Sequence, residues 1–105
     1  MDEIGLRNWM TSQGRNRKVT SDVVSRLKKI EREFGRIDIH DEYKKDRCER
    51  LMKAFSKKGE NTVMQSMRSA AFPVGTYQML TYRYAIRQYV IFADSLSSGS
   101  VPEDS

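Results

Sequence analysis

The chain has 105 residues, 38% of them hydrophobic and 31% charged, with a formal net charge of +5. That length carries one domain with a single core and is too short for two ordinary domains. One cysteine (Cys48) and one histidine (His40) exclude an intrachain disulfide, a multi-cysteine zinc site and a two-histidine metal site, and they fit a reducing cytoplasm.

The first helical segment is expected from about Asp2 to Gln13, with Ile4, Leu6, Trp9 and Met10 at near-helical spacing and Gly14 as the residue that stops it. No basic leader with an apolar run follows Met1, and no stretch is long enough to span a bilayer. A basic loop, Arg15-Asn16-Arg17-Lys18, comes next. The second helix is expected to start at Thr20 or Ser21, either of which can cap it, and to end at Gly35. Val23, Leu27, Ile30 and Phe34 recur at spacings of 4, 3 and 4 and form its apolar face. Arg26, Lys29 and Glu33 fall on the opposite side, with Lys28 and Arg32 beside them.

Ile37-Asp38-Ile39-His40 alternates like a strand but is too short to make a sheet, and reads as an extended link. A third helix follows, opened by Asp41 and Glu42, where negative charge suits the helix dipole, and closed at Gly59. Cys48, Leu51, Met52 and Phe55 are its stripe, and Lys53, Lys57 and Lys58 crowd its end. A short helix between Thr62 and Ala71 is expected before Pro73 and Gly75. The last main helix runs from Thr76 to about Leu96, with Met79, Tyr82, Ile86, Tyr89, Val90 and Ala93 facing inward. The domain therefore covers residues 1–96, and 97–105, SSGSVPEDS, has the composition of a tail or linker. The fold class is all-α, with four to five helices.

Enzyme chemistry finds little to work with, and no cofactor is expected. The glycines form no phosphate-binding loop, and the acidic pairs Asp41-Glu42 and Glu31/Glu33 sit among many cations, as solvated ion pairs do. A Cys48–His40 nucleophilic pair is conceivable on composition, but Cys48 falls on an apolar stripe, the usual place of a structural thiol.

The charge distribution says more than its total. All nineteen Lys and Arg lie between Arg7 and Arg87, against nine acids in that span, a net of +10. Such an excess attracts polyanions, duplex DNA above all, although solubility alone also produces basic surfaces. Candidate phosphate contacts fall in three groups. Arg15, Arg17 and Lys18 precede a helix start, where free amides favour anions. Arg26, Lys29 and Arg36 belong to the second helix. Arg83 and Arg87 share a face of the last helix at i, i+4, with Tyr84 and Gln88 beside them, and Arg and Gln on an exposed helix can read base edges. Surface salt bridges are the competing role for Arg83 and Arg87, and core packing for Tyr82 and Tyr89.

The order of these pieces, LRNWMTSQG, then VTSDVVSRLKKIEREFG, then IDIHDEYKKDRCERLMKAF, then TYQMLTYRYAIRQYVIFADSL, resembles the N-terminal core-binding, SAM-like domain of tyrosine recombinases and phage integrases. Similar helical modules precede some nuclease domains. The resemblance spans roughly Leu6 to Leu96, with a longer connection from Ser56 to Gly75 than the family pattern has. It implies a SAM-like orthogonal bundle that grips one side of a DNA duplex through its second and last helices. It also implies a catalytic domain, covalently linked or separate, as partner, because the family's catalytic residues lie outside this module. A protein-interaction bundle is the alternative, since SAM-like folds also mediate protein contacts. An exposed patch of Val63, Met64, Met67 and Phe72 would favour it.

Overall fold

The computed structural model describes residues 1–56 and 76–99, and the side chains of 1–56 and 80–96. The expected helix at 62–71, its apolar residues, Lys57, Lys58 and residues 100–105 lie outside the described residues, and Tyr77 and Met79 outside the described side chains. All regular structure among the described residues is α-helix, so the chain is an all-α bundle. Its helices are α1 (Glu3–Ser12), α2 (Arg17–Glu33), α3 (Ile39–Asp46), α4 (Glu49–Ala54) and α5 (Thr76–Gly99). None of them is long and apolar enough to cross a membrane.

Side-chain caps set most of the starts. Asp2 accepts the Gly5 amide at 3.0 Å, Asn16 the Val19 amide at 2.8 Å and Asp38 the His40 amide at 2.8 Å, each satisfying one donor that a helix start leaves open. Asn16, not Thr20 or Ser21, therefore begins the second helix. Thr20 lies one turn inside, buried, with its hydroxyl donating back to the Asn16 carbonyl. Arg17 and Lys18 are consequently helical residues and not loop residues. The extended link is also shorter than expected. Asp38 is extended, but Ile39 and His40 already belong to α3.

The expected third helix is two. Arg47 and Cys48 both take left-handed backbone angles, φ 56° and 64°, and the chain turns between α3 and α4. Non-glycine residues pay steric strain there. Burial of Cys48 beneath the turn and the ion pair of Arg47 with Asp94 offset it. Tyr43 donates to the same carboxylate at 2.6 Å, so this turn is tied to α5.

α2 is the central element. Val23, Val24, Leu27 and Ile30 bury its inner face against Tyr82, Ala85, Ile86 and Tyr89 of α5. The two helices run in opposite directions. The start of α2 lies beside Gln88, and its last turns lie near Tyr82. Leu6 and Met10 of α1 close one side of the core, where Trp9 meets Phe92 with ring centroids 6.0 Å apart. Phe55 closes the other, stacked between Phe34 at 5.6 Å and Tyr82 at 5.2 Å. Each fully buried large side chain contributes about 1.5–3 kcal/mol of transfer free energy. Ile4, expected on the apolar face of α1, is 74% exposed instead.

A polar cluster pins the chain start to the bundle. The terminal ammonium lies 3.0 Å from Glu31 and 2.6 Å from Asp38, and Glu31 also accepts the Ile39 amide. The Tyr89 hydroxyl accepts the Asp2 amide at 3.0 Å and meets Nδ1 of His40 at 2.8 Å. His40 thus bonds to a core tyrosine. The Cys48 thiol points at the Ile39 carbonyl, 3.7 Å away, and burial pushes it up to about 12, which leaves it a protonated, inert group at neutral pH.

Candidate nucleic-acid interface

The connection from α1 to α2 is a turn with fixed geometry. Gly14 takes φ 83°, the Arg15 amide donates to the Met10 carbonyl at 3.0 Å, and the Gly14 amide donates to Thr11 at 3.0 Å. These are the paired bonds of a Schellman stop, which needs a left-handed residue at the glycine position. The turn delivers Arg15 and the Asn16 cap to the start of α2. There Arg15 donates to Oε1 of Gln88 at 3.3 Å.

Around this turn lies a cleft of about 300 Å³ lined by Arg7 and Thr11 of α1, Arg15, and Arg17 and Thr20 of α2. Among the described residues three arginines line it and no acidic residue does. Arg15 and Arg17 are exposed and Arg7 half-buried. Arg7 donates through Nε to Glu3 at 3.0 Å, and Glu3 is shared with Lys28 at 2.9 Å. Lys28 first and Arg7 second hold the Glu3 carboxyl below the usual carboxylate range.

The remaining predicted contacts disperse. Lys18 points away from the cleft toward Asp22, 3.9 Å off on the outer side of α2. Arg26 and Lys29 are half-buried on the flanks of α2 and not on its outermost line. Arg26 faces α5, near Tyr82, whose phenol is raised by burial against the opposing effect of Arg26 and Arg32. Arg36 is exposed beyond the end of α2, in a left-handed conformation after Gly35, and borders a second depression with Lys28, Glu31, Arg32 and Ile37.

On α5 the expected grouping separates. Gln88 is buried, 4% exposed, and is not a surface neighbour of Arg83 and Arg87. It shares the inward side with Ala85, Tyr89 and Phe92, as helical phase requires. Arg83 turns to the opposite flank and donates to the Met52 carbonyl of α4 at 3.3 Å, closing the end of that short helix. Arg87 is exposed. Arg15 and Arg83 therefore sit on different sides of α5, and the seven predicted residues do not form one face.

Arg7 was not among the residues singled out in the sequence, although Arg7 and Thr11 at i, i+4 share a face of α1. Only the tertiary approach of α1 to the start of α2 brings it to Arg15 and Arg17. Comparison of the chain with protein-family models, curated proteins and solved structures finds no match.

Proposed function

We propose that this bundle is a duplex-DNA-binding module without catalytic residues of its own, akin to the DNA-gripping modules of recombinases, integrases or nucleases and working beside a catalytic domain in a reducing cytoplasm. The observation that carries the reading is the charge of α2 and its flanks. From Arg15 to Arg36 there are eight Lys or Arg against three acids. All three acids already have partners in the fold, Glu31 with the terminal ammonium, Asp22 with Lys18 and Glu33 with Arg32. At 1.5 Å per residue, α2 extends about 25 Å, a length over which duplex DNA presents roughly fifteen charges. Binding rests on phosphate contacts and is weakly sequence-specific.

The test is a titration of a labelled duplex at increasing salt. Log affinity should fall linearly with log salt, with a slope of about −0.9 for each phosphate engaged. Absence of binding at low salt overturns the reading. One observation favours the protein-interaction alternative. Leu80, Tyr84 and Ile91, spaced 4 and 7 along α5, are 60%, 37% and 45% exposed. In that case duplex binding fails, while Leu80→Asp abolishes association with a protein partner.

A further inference from the structure

We propose that the cleft between α1 and the start of α2 is an anchor for a single phosphodiester group of the DNA backbone, held by Arg7, Arg15 and Arg17. The inference rests on the DNA-binding reading and assigns Arg7 a binding role. Three features of the cleft point to an anion. Among the described residues its charged lining is wholly arginine, the residue whose planar fork of donors matches phosphate oxygens. Arg15 and Arg17 stand two residues apart across the Asn16 cap, and Arg7 reaches them from α1 only through the packing of α1 on the start of α2, so the third cation is a tertiary addition and not part of the sequence run. The first turn of α2 also has the wrong charge for a helix start. α1, α3 and α4 each place an acid there, Glu3, Asp41 with Glu42, and Glu49; α5 has none but opens on uncharged residues, whereas α2 has none and begins Arg17-Lys18. Cations at the positive end of a helix are unfavourable without a counter-anion.

The side chains keep donors for such a ligand. Arg7 commits Nε to Glu3 and lines the cleft as well. Arg15 commits one terminal nitrogen to Gln88. Arg17 has no ion-pair partner among the described residues. Gln88 is a positioning residue. Its buried carbonyl steers a long, otherwise mobile arginine toward the cleft, which explains an amide on the inward side of α5.

Two measurements on the full chain test the proposal. In the first, inorganic phosphate is titrated while arginine Nε–Hε signals are followed by NMR. Saturable shifts are expected for Arg7, Arg15 and Arg17 and not for Arg50, and added duplex should compete for them. In the second, the salt slope of duplex binding is measured for Arg7→Gln, Arg15→Gln and Arg17→Gln, with Arg50→Gln on α4 as a control of equal charge. Each cleft variant should reduce the slope by about 1. Gln88→Met, which changes no charge, should weaken the phosphate shift at Arg15 while leaving that at Arg7. Linear, non-saturating shifts, or cleft variants that behave like Arg50→Gln while the duplex still binds, overturn the anchor and leave the DNA reading standing. Saturable phosphate binding with no duplex binding at low salt overturns both the DNA reading and the backbone identity of the phosphate.

Discussion

At Gly5 α1 lies close against Phe92 of α5. A methyl group there would lie 2.9 Å from Cζ of Phe92 and would also collide with the carboxylate of Asp2, the residue that caps α1. Phe92 is buried and packed against Trp9 and Tyr89, so it has no room to retreat. Gly5→Ala should therefore destabilise the bundle by about 1–3 kcal/mol, the usual cost of overpacking, even though alanine is the better helix former by about 1 kcal/mol. Urea unfolding should show a lower midpoint with an unchanged slope. An unchanged or higher midpoint would mean that α1 slides freely on α5.

The α1–α2 junction is the element that the candidate interface depends on. No atom lies within 4 Å of where a Gly14 side chain would begin, so the glycine is required by its φ of 83° alone. Gly14→Ala should cost about 1–2 kcal/mol, the penalty of a left-handed Cβ, and Gly14→Asn less, because asparagine tolerates that region. Thermal melts of the two variants check the order; equal losses would refute a backbone origin. This stop was legible in the sequence, and so were the apolar faces of α2 and α5, because glycine and helical periodicity are local signals. The start of α2 was not legible, because Asn16, Thr20 and Ser21 all have capping side chains and only the fold decides which one faces the open amides. Nor was the break at Arg47–Cys48, where no glycine announces the left-handed turn and the compensation comes from Asp94, far along the chain. The interface was half legible. Arg15 and Arg17 are two residues apart in sequence and meet at the cleft, whereas Arg7 joins them, and Arg83 leaves them, only through packing.

Among the described residues the ion pairs of Lys28 with Glu3, Arg47 with Asp94 and the terminal ammonium with Glu31 and Asp38 tie separate segments together, and such pairs give stability a defined pH dependence. Glu3 is held down by Lys28 and Arg7, Asp38 by the terminal ammonium and then, against the opposing effect of burial, by the His40 amide, and Asp94 by Arg47 and Tyr43. Carboxyls with folded values below their unfolded ones, about 3.9 for Asp and 4.3 for Glu, stabilise the fold above those values. They lose that contribution as pH falls through the folded values. Tm should therefore hold near neutrality, begin to drop just above pH 4 and keep dropping below it. The alkaline side has the opposite logic. Burial raises the Tyr89 phenol to about 12, so its contribution is intact below the unfolded value of about 10 and is lost between there and 12. Neutralising the acid-sensitive groups separates this linkage from the general repulsion of a cationic chain. Glu3→Gln with Asp94→Asn should lower Tm at pH 7 and flatten the limb below pH 5, so that the variant and parent curves converge in acid. Repulsion among the cations alone would keep the two curves parallel, and that result would remove the ion pairs from the account of acid stability.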